Sequence, residues 1–345
     1  MTIIYAKSSR ATLAYSLVCD LQQRFVSRLN KIGGKYGNGN PFVPIEWLRD
    51  DGKHGGGMRF MATDNTIFNR ASVNISHVQY DDDETKKLAS ASAISTIIHP
   101  DNPLAPSVHI HISWTEMKDG CGYWRVMADL NPSNEHDADK DLFVEKLRQA
   151  APKQYDEAAV QGDCYFYIPV LGRHRGVTHF YLENYFSDDF NIDLELAKTV
   201  GEAAIDTYCD ILSSALETRT LPTDEHRKKQ LDYHTLYLFQ VLTLDRGTTS
   251  GLLVHDQNDI GILASLPSPI NRALLASWVQ KMPAPQDQLL HNILTCLPAT
   301  DICLVEDDTK RALANCLRQH YRMYPEAINL QAKGNVIPST VNNHR

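Results

Sequence analysis

The feature that most restricts the fold of this chain is a strict alternation of apolar and polar residues over positions 108–114. Successive side chains of a β-strand point to opposite faces, so the alternation predicts a strand with one apolar and one polar face. The polar face carries two histidines and a serine, which are His109, His111 and Ser113. A turn at 118–120 and a return segment up to residue 130 complete a predicted β-hairpin.

The register of this hairpin depends on the length of its turn. Four residues of the return strand share one face, and these are Tyr123, Arg125, Met127 and Asp129. A three-residue turn would place Arg125 directly across from Ser113, whereas a two-residue turn would pair Arg125 with Trp114 on the other face. The sequence leaves both registers open. In the first register, imidazole, guanidinium and carboxylate groups meet on one surface, although such a surface ordinarily faces water.

Composition excludes several classes of protein. The chain has 345 residues, 43% of them hydrophobic and 22% charged, which is typical of a globular protein with a large core. A formal net charge of -8 argues against nonspecific binding of nucleic acids. Seven scattered cysteines without a CxxC motif indicate free thiols in a reducing compartment. Without a secretory leader or an apolar run long enough to span a bilayer, the chain is expected to be cytoplasmic.

Hydrophobic periodicity predicts an α+β fold, because runs of strands occur without the strict alternation of a parallel sheet. Strands are predicted at 58–61, 73–79, 93–98, 108–116, 123–130, 164–169, 177–182, 236–244 and 251–254. Helices are predicted at 10–32, 141–151, 193–216, 270–281 and 309–321. His109 and His111 have a spacing that can chelate a metal, but no third ligand is assignable and no metal site is predicted.

Several short motifs together resemble the oxygen-dependent coproporphyrinogen III oxidase family. The most specific is HPDNPLAPSVHIHISW at 99–114, which precedes ADLNP at 128–132. Further matches occur in the family's order: GGG at 55–57, SVNISHV at 72–78, YFYI at 165–168, RG at 175–176, DRGT at 245–248 and LASLP at 263–267. Collinear motifs are more specific than any one of them, and these cover roughly residues 50–280.

The resemblance implies a fold, a reaction and an assembly. The fold would be a broad antiparallel sheet with helices packed on both faces, in a homodimer. The substrate would be the tetrapyrrole coproporphyrinogen III, whose four propionates make it strongly acidic. Two propionates would be oxidatively decarboxylated to give protoporphyrinogen IX in haem synthesis. Dioxygen would be the co-substrate, and no metal or organic cofactor would be required.

The resemblance also implies site residues, each of which has a plainer structural interpretation. The candidate catalytic residues are Asp129, His109 and His99. The candidate substrate-binding residues are Arg125, Asn102, His111, Ser113, Arg175, Arg246, Gly56 and Gly57. Asp129 would otherwise cap a turn, the histidines would be buried and hydrogen-bonded, and Asn102 would fix its own loop. The glycine triplet is expected to form a loop at the mouth of a cavity.

Departures from the family pattern leave two functions open. Ser113 stands where the family has an arginine, and Val170 and Leu171 stand where it has histidine and arginine. Glu183 and Asn184 replace two aspartates. Loss of a buried cation would cost roughly 2 to 5 kcal/mol of binding free energy, and we hypothesise that Arg125 restores it. The first candidate function is the oxidase, and the alternative is a non-catalytic homologue that binds a tetrapyrrole or another carboxylate ligand.

Three segments are predicted along the chain. Residues 1–282 would form the oxidase-like domain, 283–330 a helical C-terminal element and 331–345 a polar tail.

Overall fold

An antiparallel sheet of seven strands forms the centre of the computed structural model, which describes residues 2–255 and 257–333. The strand order is β1-β2-β3-β4-β5-β6-β9. The strands are β1 (Val43–Leu48), β2 (Gly55–Met61), β3 (Phe68–Gln79), β4 (Leu88–Pro100), β5 (Ser107–Met117), β6 (Gly122–Asn131), the short pair β7 (Tyr167–Ile168) and β8 (Arg173–His174), β9 (Thr178–Tyr185), and the short pair β10 (Ile270–Asn271) and β11 (Ile302–Cys303). The predicted broad antiparallel sheet is confirmed.

Helices pack on both faces of the sheet, as predicted. They are α1 (Ser9–Tyr36), α2 (Asp137–Ala150), α3 (Tyr155–Phe166), α4 (Phe190–Thr218), α5 (Asp224–Thr243), α6 (Arg246–Val254), α7 (Asp259–Ile262), α8 (Arg272–Ala276), α9 (Gln286–Cys296) and α10 (Asp307–Met323). The apolar stripe of α1 and that of α4 cover the apolar sheet face and form one core with it. Helices α5–α10 form a second core on the opposite side.

The central hairpin has the first of the two registers that the sequence left open. The backbone N–H of Met117 donates to the carbonyl of Cys121, which leaves a three-residue turn at 118–120. Gly120 has φ +88°, the left-handed conformation that such a turn requires and that glycine adopts without strain. Ser113 therefore lies across from Arg125, and His109 across from Asp129.

Two predicted strands are wrong. Residues 236–244 and 251–254 belong to α5 and α6. All eleven residues from Tyr233 to Thr243 are buried, so this part of α5 has no solvent-facing side and lacks the amphipathic period that distinguishes a helix from a buried strand. The prediction also missed β1 and α3, and it extended β7 over what is the end of α3.

The C-terminal segment shares its core with the preceding helices. Leu289 and Leu313, which follow residue 282, pack in the same cluster as Leu238 of α5 and Leu275 of α8. Of the predicted polar tail, residues 334–345 lie outside the described residues. Within the described ranges, the helices are too short or too polar to cross a membrane.

One buried histidine makes the stability of the sheet sensitive to acid. His77 is 2% exposed, its Nε2 accepts a hydrogen bond from the N–H of Ala6 at 3.0 Å, and its Nδ1 lies 2.8 Å from Oγ of Ser92. Burial lowers the pKa of His77 to about 4. The unfolded chain therefore binds more protons between about pH 6.5 and 4, and stability is lost as the pH falls through that window.

We predict that His77→Gln flattens this pH dependence. Urea unfolding at pH 7 and pH 4.5 should show a loss of stability in the native protein that is on the order of 2 kcal/mol larger than in the variant. His291→Gln, which changes an exposed histidine of α9, is the control and should keep the native slope. Equal slopes in the native protein and His77→Gln would contradict the prediction.

Candidate functional site

A cavity of about 250 Å³ lies between the polar face of the sheet and helices α5–α7. Its floor is made mainly of small side chains on β3 and β4, which are Ser72, Asn74, Ser76, Ala93 and Ser95. These residues occupy alternate positions, so they share one face of the sheet. Because small side chains leave space beneath the covering helices, the cavity follows directly from the pattern of the strands.

Asp129 is the most tightly held charged group beside the cavity. It is fully buried, and Oδ1 lies 2.9 Å from Nδ1 of His109. Its Oδ2 accepts hydrogen bonds of 2.6 Å from Nη2 of Arg175 and from Nδ2 of Asn131. His109 and Arg175 line the cavity, so Asp129 forms a second layer that fixes both of them.

The charges around Asp129 keep it ionised. Burial by itself would raise the pKa of the Asp129 carboxyl, but Arg175 and His109 outweigh this effect and hold the pKa well below its usual range. A carboxylate accepts hydrogen bonds and does not donate them, so Nδ1 of His109 carries the proton of the shared bond. Nε2 is then the ring nitrogen that faces away from Asp129 and remains for contact with a ligand.

Aromatic rings fix the guanidinium of Arg175. Its central carbon lies 4.8 Å from the ring centre of Phe166 and 5.0 Å from that of Tyr237. The planar group thereby gains cation–π contacts on residues of α3 and α5 while it pairs with Asp129. Arg175 joins the sheet to both helices.

Arg125 lies where the sequence hypothesis required it, but it already has a partner. Its side chain lines the cavity, and its Nε donates a 3.0 Å hydrogen bond to Glu183, which is 4% exposed. The pairing of β6 with β9 is irregular here, and Asn184 beside Glu183 has φ +52°, as expected for a β-bulge. The bulge therefore delivers a carboxylate that neutralises Arg125.

His111 and Ser113 occupy the other end of the hairpin face. Nε2 of His111 lies 3.1 Å from Oγ of Ser113, and the imidazole lines the cavity. Burial, together with the positive charge of Arg125, lowers the pKa of His111 well below its ordinary value. The ring is therefore neutral at physiological pH.

Several predicted residues lie away from the cavity. His99 is completely buried beneath α5, with its Nδ1 2.8 Å from Oγ of Ser107. Asn102 fixes its own loop, where its Oδ1 accepts from the N–H of Leu104 and its Nδ2 donates to the carbonyl of Arg219. Arg246 is the first residue of α6.

The expected glycine loop is wrong, because Gly56 and Gly57 lie within strand β2. A Cβ at Gly57 would lie 2.8 Å from Nε1 of Trp47, which lines the cavity. Glycine is required there because the indole crosses β2 to donate a 3.2 Å hydrogen bond to Oδ1 of Asn74. Gly57 therefore helps to shape the cavity wall as part of the sheet.

Sequence reasoning missed residues that the covering helices bring to the cavity. Among them are Tyr165, Tyr237 and Asp245. The hydroxyl of Tyr165 donates to Oδ1 of Asp245 at 2.9 Å, and Oδ2 of Asp245 accepts from the N–H of Thr248, which caps α6. Tyr165 and Asp245 stand in the YFYI and DRGT matches, but neither was assigned a role there, and Tyr237 stands in none of the matching motifs.

We predict that Glu183→Gln destabilises the fold because it leaves Arg125 buried without a counter-charge. The loss should be about 3 to 5 kcal/mol in the free energy of unfolding, measured by urea denaturation. Replacing both partners, in Arg125→Met with Glu183→Leu, should recover most of the loss. The matched surface variant Asp156→Asn, at the exposed pair with Arg148, should cost less than about 1 kcal/mol. A similar loss in both single variants would contradict the prediction.

Comparison with known proteins identifies relatives of the chain. A model of the family described as coproporphyrinogen III oxidase matches residues 14–295. The mitochondrial oxygen-dependent coproporphyrinogen-III oxidases of Rattus norvegicus and Mus musculus are each 27% identical over 74% of this chain, and that of Homo sapiens is 24% identical over 76%. The matches cover 61%, 61% and 60% of those relatives, respectively. The family model spans most of the chain, which therefore belongs to the coproporphyrinogen III oxidase family.

Proposed function

We propose that the protein oxidatively decarboxylates coproporphyrinogen III to protoporphyrinogen IX, in haem biosynthesis, with dioxygen as co-substrate and without a metal or organic cofactor. The observation that carries the proposal is the buried Asp129 carboxylate, bound to His109 and Arg175 at the edge of a cavity. His109 and Asp129 stand in the two most specific motifs of the chain. Family membership supplies the reaction class, and the cluster supplies groups that such a reaction needs.

His109 is the residue to which we assign proton transfer. Its side chain is 14% exposed and lines the cavity, whereas Asp129 is fully buried. Asp129 orients the ring and fixes the tautomer, which leaves Nε2 to exchange a proton with bound substrate. Asp129 itself keeps its negative charge through the cycle, so its role is to position His109 and Arg175.

The main task of the protein in this reaction is to position the substrate. Each propionate that becomes a vinyl group loses carbon dioxide, one proton and two electrons, and dioxygen accepts the electrons. The reduced pyrrole is electron-rich, so the protein has to hold the propionate, balance charge and accept or return protons. His109 and Arg175 meet the last two needs at one end of the cavity.

The alternative function is a non-catalytic homologue that binds a tetrapyrrole or another carboxylate ligand, and the size of the cavity favours the second of these, a smaller carboxylate ligand. The cavity of about 250 Å³ is smaller than the roughly 300–1,000 Å³ typical of small-molecule sites. Arg125 and Arg175 are also each paired with a buried carboxylate. A tetrapyrrole with four propionates must therefore open the cavity on binding.

Turnover is the test of the proposed function. Purified protein is mixed with coproporphyrinogen III in air, and carbon dioxide release is followed together with the protoporphyrin formed on oxidation. We predict that His109→Gln lowers kcat by about 10²–10⁴-fold, because a proton-transfer group is lost. His291→Gln is the control and should turn over like the native protein.

The outcomes separate the two functions. Product formation that depends on His109 supports the oxidase. Tight binding of the porphyrinogen without product supports the non-catalytic homologue. Product formation that is equal in the native protein and His109→Gln would contradict the role given to His109.

We also propose that the protein is a cytoplasmic homodimer, an assembly that the family resemblance implies. We predict that light scattering of the purified protein gives twice the mass of one chain, and that cell fractionation recovers it in the cytosol. A monomeric mass would contradict the assembly. Because the three relatives named above are mitochondrial, recovery in an organelle would contradict only the location.

A further inference from the structure

Arg59 is a buried cation on the sheet face that forms the cavity floor. It lies in β2, where it pairs with Asn74 of β3, and Asn74 lines the cavity. Arg59 is only 5% exposed. Asn74 pairs in turn with Ser95 of β4, and Ser95 pairs with His111 of β5. Arg59 and His111 therefore lie on the same face of the sheet.

The guanidinium of Arg59 lacks the counter-charge that its neighbours have. In residues 2–255 and 257–333, no carboxylate lies within ion-pair distance of it, whereas Arg125 has Glu183 and Arg175 has Asp129. Its contact with a neutral acceptor is long, 3.3 Å from Nη1 to Oδ1 of Asn258. Its Nε is buried without a hydrogen-bond partner among the described residues.

Burial of a guanidinium without a counter-charge lowers the stability of the ligand-free protein. A guanidinium stays charged in proteins, so it cannot escape the cost of burial by losing its proton. Burial lowers the pKa of Arg59 despite some attraction from Asp307, which is the direction expected of a cation that lacks a close anion. Such a group is stabilised when an anion arrives.

The residues in front of Arg59 show where an anion would enter. Asn258 and Gly261 line the cavity and also contact the guanidinium. A Cβ at Gly261 would lie 1.9 Å from Nη1 of Arg59, so glycine is what allows the guanidinium to lie directly behind the cavity wall, which Asn258 and Gly261 form at this point. The amide oxygen of Asn258 occupies the place that a ligand carboxylate would take.

We propose that Arg59 binds a carboxylate of the ligand and thereby replaces the cation that the family pattern would have at Ser113. The inference rests on the proposed function for the identity of the ligand as a propionate-bearing tetrapyrrole. Arg125 cannot serve as readily, since a ligand carboxylate would have to compete with the buried Glu183. Arg59 therefore acts as a determinant of specificity for acidic ligands.

The experiment compares charged and uncharged ligands. Coproporphyrin III, the stable oxidised form with four carboxylates, and its tetramethyl ester are titrated into the protein, and binding is followed by fluorescence. We predict that Arg59→Gln weakens binding of coproporphyrin III by roughly 30-fold or more and leaves binding of the ester unchanged. Arg148→Gln, at an exposed arginine of α2, is the control and should bind both ligands like the native protein.

A second variant tests the same site by changing the residue that Arg59 contacts. Asn258→Asp places a carboxylate of nearly the same shape beside Arg59. It should raise the melting temperature of the ligand-free protein and weaken binding of coproporphyrin III. Arg59→Gln should melt no lower than the native protein, because no ion pair is lost, whereas a structural role for Arg59 would give a clear decrease.

The outcomes distinguish this inference from the proposed function. Equal binding of coproporphyrin III by the native protein and both variants would overturn the role of Arg59 and leave the proposed function intact. If the native protein binds neither porphyrin, turnover of coproporphyrinogen III still decides the proposed function, and a single pyrrole that bears a propionate becomes the probe for Arg59. A rise in melting temperature with that probe, absent in Arg59→Gln, would still support Arg59 as a carboxylate site. No rise in the native protein would overturn it.

Discussion

The site depends on the register between β5 and β6. The three-residue turn places His109 across from Asp129, and the contacts of Asp129 with Arg175 and Asn131 complete the cluster around that pair. A shift by one residue would move the histidines and Asp129 onto opposite faces of the sheet. Because the other face of both strands is packed against α1 and α4, such a shift would also expose the core. The same apolar packing that stabilises the sheet thus fixes the chemistry of the cavity.

Buried charge is distributed unevenly around the cavity. Asp129 is balanced by Arg175 and Glu183 by Arg125. The first pair joins β6 to the segment before β9 and the second joins β6 to β9, with little net charge. Such pairs contribute mainly specificity of arrangement, since desolvation offsets most of their attraction. Arg59 has no comparable partner in the described ranges, and its uncompensated charge is the feature that distinguishes an acidic ligand from a neutral one.

The hairpin face was predictable because strand parity is exact, and the motif at 99–114 fixed which strands matter. The remaining parts of the site were not predictable for identifiable reasons. Helix α5 is buried on all sides where it covers the cavity, so it shows no amphipathic period. The approach of Glu183 to Arg125 depends on a bulge, which sequence alone does not locate. Nothing in the sequence pattern distinguishes Arg59 from other strand residues. Its proposed role in binding depends on the lack of a carboxylate partner among the described residues, which only the structure shows.

The loss of an arginine at position 113 does not by itself decide between enzyme and binder. Ser113 leaves room for Arg125 on the neighbouring strand, but the bulge in β9 brings Glu183 to that arginine and cancels its charge. A chain that had only lost a cation would be left with an electrically neutral cavity. Here a buried guanidinium persists at Arg59, on β2, three strands from Ser113. Gly261 leaves space for it, and its burial lowers the stability of the free protein. An anion in the cavity would offset that cost, and this is the physical basis on which we propose that the protein binds an acidic ligand.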